Sequence, residues 1–111
     1  MKTIVRINEV DYELIYDINT LCDMTAAGFD VMNMENVNIN MIVLRQLFYF
    51  GLKKEVGKSL TEKKAGDLMT QYLQEGNKFG DLLDTVLGAL GHALGNDTIE
   101  NFEGEGEEVG N

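Results

Sequence analysis

In this chain of 111 residues the side chains suited to chemistry are few: His92, Cys22, the carboxylates Asp81 and Asp84, and the triplet Gly57-Lys58-Ser59. A lone histidine cannot furnish the usual zinc site, and no serine or cysteine stands at a recognisable triad spacing from it. Beside Gly91, near the end of an apolar helical pattern, His92 reads as a surface residue in the field of a helix C-terminus. Asp81 and Asp84 share a helix face at i, i+3, a spacing at which paired carboxylates can exchange protons. They also stand in the first turns of that helix, where negative charge is stabilised in any case, so the structural role is the simpler reading. Cys22 has no base near it in sequence and reads as a small core residue. With one cysteine the chain has neither an internal disulfide nor a multi-cysteine metal site. Gly57-Lys58-Ser59 has the ending of a phosphate-binding loop. That motif needs a glycine at position 52, which is Leu, and Gly51 is one residue too far away. The preceding segment also has a helical pattern where the motif requires a strand. These residues point to a protein without catalytic residues, bound metal or cofactor.

Charge narrows the classes further. The net charge is −10, and the stretch 96–111 holds Asp97, Glu100, Glu103, Glu105, Glu107 and Glu108 without a single base. It therefore supplies −6, and the remainder of the chain −4. So acidic a chain is repelled by phosphate backbones, which argues against nucleic acid as a partner. No membrane span is expected either, because the charge-free stretch 85–96 is short of the roughly 20 residues a helix needs to cross a bilayer. Residues 1–6 lack the apolar run of a signal peptide, which predicts a cytosolic protein. Five of the nine basic residues gather at Lys53, Lys54, Lys58, Lys63 and Lys64. They can form a dock for an acidic surface, the tail included, or simply a solvated helix end favoured by the helix dipole; the second reading is the simpler.

The elements that must position these residues are read from periodicity. Thr3-Ile4-Val5-Arg6-Ile7 and Val10-Asp11-Tyr12-Glu13-Leu14 alternate with period two around Asn8-Glu9, which predicts a two-residue hairpin. Val10, Tyr12 and Leu14 should face inward and Asp11 and Glu13 outward. Glu9 stands where glycine is usual. Asp17 is a good N-cap for a helix from Ile18 to about Ala27, with Tyr16 and Leu21 placed as a hydrophobic staple, a buried stripe of Ile18, Leu21 and Cys22, and Gly28 as its stop. Residues 29–39 hold a short helix capped by Asp30, with Val31, Met32 and Met34. Asn38 or Asn40 caps the next helix, Met41 to about Lys54. Its run from Met41 to Phe50 is apolar nearly all round, as in a central, buried helix. A loop is expected over 53–58. Ser59 or Thr61 then opens a helix with Ala65, Leu68, Met69, Tyr72 and Leu73 on one face, and Ser59-Leu60-Thr61-Glu62 fits a capping box. Gly76 ends it. The last helix runs from about Asn77 to Leu94, with Phe79, Leu82, Leu83, Val86, Leu87, Leu90 and Leu94 in one stripe. Gly88, Gly91 and Gly95 lie on its far side at a spacing that permits close approach by another helix, in this chain or a second copy. Beyond Gly95 the apolar pattern stops, and an acidic disordered tail is expected. The fold class is α+β, mainly α: one domain over 1–95, an N-terminal β-hairpin and then four to five helices, followed by the tail 96–111.

This order resembles a family. A hairpin ending in Tyr12-Glu13-Leu14, the helix Ile18-Asn19-Thr20-Leu21-Cys22-Asp23-Met24, the segment Leu44-Arg45-Gln46-Leu47-Phe48-Tyr49-Phe50-Gly51-Leu52 and a helix opening on Ser59-Leu60-Thr61-Glu62 look like the tail assembly chaperones of long-tailed phages and prophages. The resemblance covers about residues 1–95 and consists of element order and hydrophobic positions. It implies a small, mainly helical protein that binds the tape measure protein, keeps its apolar helices soluble, helps recruit tail tube protein, and is absent from the finished virion. Such a protein acts in the host cytoplasm without catalysis. The contact residues expected on this reading are Met32, Met34, Phe48, Tyr49, Leu87, Leu90 and Leu94. The methionines are chosen because Met adapts to irregular partners. Self-association is a linked expectation. The rival is a structural component of the tail, a tail tube or tail completion protein, although a tube subunit needs far more strand than this chain offers.

Overall fold

A computed structural model describes residues 2–36 and 38–95. The antiparallel hairpin β1 (Thr3–Ile7) and β2 (Val10–Leu14) is followed by α1 (Ile18–Ala26), a 3-10 segment (Val31–Asn36), α2 (Met41–Val56), α3 (Glu62–Gln74) and α4 (Phe79–Ala93). This is the expected α+β, mainly helical architecture. The acidic tail 96–111 lies outside the described residues.

The hairpin register pairs Ile7 with Val10 and Thr3 with Leu14, leaving Asn8 and Glu9 as a two-residue turn. Both turn residues have positive φ, 53° and 66°, the geometry whose twist matches that of the strands. The Asn8 amide donates to Glu75 Oε2 at 2.6 Å, which ties the turn to the end of α3. Val5, Ile7 and Leu14 are buried. Tyr12 is half-buried and Val10, at the turn, is 47% exposed although its cross-strand partner Ile7 is fully buried, so β2 leaves the core at its turn end while β1 stays in it.

Asp17 caps α1 through a 2.9 Å bond from the Thr20 amide. Gly28, at φ +106°, ends it. The amides of Gly28 and Phe29 return to the carbonyls of Thr25 and Met24, which satisfies two otherwise orphaned acceptors. The buried face is not the expected one. Thr20, Leu21 and Met24 point inward, whereas Ile18 is 71% exposed and Cys22 is exposed. Thr20 and Met24, four residues apart, set the inward direction together with Leu21. That rotation carries Ile18 and Cys22 out to solvent.

Residues Val31–Asn36 are tight 3-10 turns broken at Asn33, whose φ of −143° is non-helical, instead of a short α-helix. Asn40 caps α2, accepting from the Val43 amide at 2.9 Å. The helix outlasts its expected end, running to Val56 through what had read as a loop; Gly57, at φ +95°, follows it. Lys53 and Lys54 sit in its last turn, where their charge suits the dipole. α2 is the centre of the molecule, packing against β2, α1, α3 and α4. Leu44, Leu47, Phe48, Phe50 and Leu52 are buried along it; each such side chain contributes about 1.5–3 kcal/mol on burial.

Gly51 explains how α2 and the strand exit come together. A Cβ at Gly51 would lie 2.6 Å from Tyr16 Oη and 2.7 Å from Cζ. The Tyr16 ring therefore crosses α2 where that helix has no side chain. Its hydroxyl donates to the Leu47 carbonyl at 2.6 Å, and the Ile15 amide donates to the Gly51 carbonyl at 2.8 Å. Burial pushes the Tyr16 phenol far above its ordinary value, so it stays protonated as a donor.

Thr61, and not Ser59, caps α3, accepting from the Lys64 amide at 3.1 Å. Glu62 thus becomes the first helical residue, and the capping box does not form. Ala65 and Met69 are buried, Leu68 and Tyr72 half-buried. α4 has no side-chain cap, because Lys78 occupies the cap position. Its buried face is Leu82, Val86, Ala89, Leu90 and Gly91.

Candidate partner-binding surface

Alpha-helices α2 and α3, with the start of α4, enclose a shallow cleft of about 200 Å³ lined by Met41, Ile42, Arg45, Gly66, Met69, Thr70, Leu73 and Phe79. The local sequence explains why it is open. Buried residues of α2 begin at Leu44, so its first turn projects past the core with Met41 61% and Ile42 63% exposed. On α3, Gly66 and Thr70 stand one turn apart and keep the floor low, while Leu73, 40% exposed, forms the far wall. Arg45 supplies the sole cation of the lining. Its stem crosses Gly66, where a Cβ would come within 3.1 Å of Arg45 Cδ. Its guanidinium pairs loosely with Glu62, at 3.6 Å, beyond hydrogen-bond reach. Its Nε is buried and has no hydrogen-bond partner. The cleft therefore combines exposed aliphatic and thioether surface with a cation that is incompletely satisfied.

The residues expected to bind a partner are not gathered here. Phe48 and Leu90 belong to the core, fully buried; the apolar periodicity that singled them out is the signature of packing. Tyr49 is half-buried, edge-on to Phe50 at 5.2 Å, with Lys53 Nζ 5.6 Å from its ring centroid. Leu87 and Leu94 are half-buried and pack against the core. Met32 is 87% exposed, but on the 3-10 segment and outside the cleft. The side chain of Met34 lies outside the described residues. The sequence signal missed was the opening of α2: Met41 and Ile42 precede the first core residue and so have nothing in their own helix turn to cover them.

Other candidates resolve into structure. Asp81 and Asp84 are exposed on α4. His92 is exposed in its last turn. A Cβ at Gly88 would meet nothing within 4 Å, so no helix among the described residues approaches it closely. Gly57-Lys58-Ser59 follows a helix and not a strand. The lysines are partly engaged: Lys54 pairs with Asp17, Lys53 lies over Tyr49 and Phe50, and Lys64 donates to the Ser59 carbonyl at 3.1 Å. Among the described residues no three His, Cys, Asp or Glu side chains gather as a metal site, and no helix is long and apolar enough to cross a membrane. Comparison with protein-family models, curated proteins and solved structures finds no match.

Proposed function

We propose that this chain is a tail assembly chaperone of the long-tailed phage type, which holds apolar helices of the tape measure protein in solution and assists assembly of the tail tube. The observation that carries this reading is the open cleft between α2 and α3. An apolar groove between helices accepts an amphipathic helix, whose side chains one turn apart enter it in succession. Exposed aliphatic surface on a small acidic body suits a protein that shields such segments while its charge keeps the complex dissolved. Action in the host cytoplasm, absence from the finished particle and self-association belong to the same proposal.

The test is co-expression with the longest helix-rich protein encoded nearby, followed by size exclusion with light scattering. A soluble client co-eluting with this chain is the expected result, and the mass gives the stoichiometry. A client that stays insoluble while this chain elutes alone overturns the reading. Finding the chain in purified particles by mass spectrometry would transfer it to the structural components of the tail.

A further inference from the structure

We propose that the cleft between α2 and α3 selects a particular amphipathic helix of a partner protein, one with two apolar residues a turn apart and a carboxylate one turn beyond them. Arg45 is the residue that recognises the acid. This rests on the reading of the chain as a binder of apolar helices, and adds the chemistry that the occupant must have. The lining holds one cation and no anion. Arg45 lies across Gly66, where a Cβ would come within 3.1 Å of its Cδ, yet its charge is poorly answered. Glu62, the acid it pairs with, stands at 3.6 Å and is itself 43% exposed. Arg45 Nε is buried without an acceptor. A helix settling into the cleft covers the 41% of the Arg45 side chain that is open, and water can then no longer supply what Glu62 does not. Covering a guanidinium with apolar surface is costly unless a hydrogen-bonded anion comes with it. An acid on the occupant meets that demand. An uncharged helix leaves it unmet, and a basic one adds repulsion.

α3 serves as the ruler. Arg45 meets it at Glu62 and Gly66. Met69 and Leu73 follow Gly66 in the same helix, about 4.5 Å and about 10 Å further along at the helical rise per residue. A second helix lying along α3 repeats that rise. A side chain level with Leu73 is therefore followed one turn on by one level with Met69, and a further turn on by one level with Gly66 and Arg45. The net charge of −10 opposes this preference at long range. Screening confines that opposition to about 8 Å at physiological salt, whereas the contact with Arg45 is made at hydrogen-bond distance. Preference for an acidic helix thus reports the contact and not the field of the whole molecule.

The probes are three synthetic helices of about 18 residues, long enough to hold helical structure in water, with blocked ends and a fluorophore. Each has Leu at i+3 and i+7, and either Glu, Gln or Lys at both i and i+10, so that either direction along α3 presents the test residue to Arg45. Affinity for the full chain is read by fluorescence anisotropy at physiological salt. The Glu helix should bind at least about threefold more tightly than the Gln helix, and the Lys helix most weakly. In Arg45→Glu the order of the Glu and Lys helices should reverse, a change that loss of packing over Gly66 does not produce. The first comparison alters only the ligand, so it holds whatever the variant does to folding. Equal binding of the three helices overturns the inference and leaves the reading of the chain as a helix binder standing. So does a Glu preference that persists in Arg45→Glu, because the acid is then read elsewhere. If no helix binds while co-expression still keeps the client in solution, the client sits off the cleft and the inference falls alone. If the client is insoluble as well, the proposed function falls with it.

Discussion

Glu9 is the residue whose backbone most clearly opposes its side chain. Its φ of 66° lies in the left-handed region, which costs a residue with a Cβ about 1–2 kcal/mol. Glu9→Gly removes that cost, partly offset by the greater freedom of glycine in the unfolded chain, and should stabilise the protein by about 1 kcal/mol in urea unfolding. The opposite holds at Gly51, where Gly51→Ala drives a methyl into a Tyr16 ring held by burial and by its bond to Leu47. A loss of about 1–3 kcal/mol is expected. Tyr16→Leu should soften it, so a double-mutant cycle of the two positions gives a coupling well away from zero. Asp17 offers a pH test. Its bonds to Lys54 and to the Thr20 amide hold the carboxyl down at about 2, below the ordinary 3.8. The stability this contributes is complete above 3.8 and fades as pH falls towards 2, because the unfolded chain takes up the proton first. Asp17→Asn keeps a capping oxygen but loses the charge. Wild type and variant should therefore differ by less than about 1 kcal/mol at neutral pH, the pair being partly exposed and screened, and converge as the pH approaches 2.

Helix termini separate what the sequence disclosed from what it did not. Lys78 holds the cap position of α4 without a side-chain bond, so Lys78→Asp, which supplies an acceptor and a favourable charge, should raise stability by about 0.5–2 kcal/mol in thermal or urea unfolding. Both strands, their turn and the cap Asp17 were legible, since each depends on a local pattern of two to four residues; Asn40 and Thr61 were each one of two candidates, beside Asn38 and Ser59, and the structure decides between them. The endings at Gly28 and Gly76, where positive φ is required, were legible too. The face of α1 was not legible: Ile18, Leu21 and Cys22 make as good a stripe as Thr20, Leu21 and Met24, and only packing decides between them. The length of α2 was misjudged because lysines are good helix formers as well as loop residues, and Gly57 was the more reliable boundary. The role of Gly51 depends on Tyr16, thirty-five positions away in sequence, and no local pattern encodes it.

At the scale of the molecule, the partner surface was the least legible part, because apolar periodicity reports burial and says nothing of what covers it. Phe48 and Leu90 satisfy the periodicity best and are consequently inside. Met41 and Ile42 lie before the first buried position of α2 and are consequently outside. This contrast gives a test that separates binding from stability. Ile42→Asp places a charge on a side chain already 63% exposed, so unfolding free energy should change by no more than about 0.5 kcal/mol. In the co-expression assay, however, it puts an uncompensated carboxylate into the apolar wall where a client helix would sit, and client solubility should be lost. Met32→Asp is the control, at a side chain still more exposed (87%) but on the 3-10 segment outside the cleft, and it should leave client solubility intact. The reverse pattern, with Met32→Asp abolishing the effect and Ile42→Asp preserving it, would move the client surface to the segment between α1 and α2. Loss in both variants at unchanged stability would mean that the client spans the two surfaces.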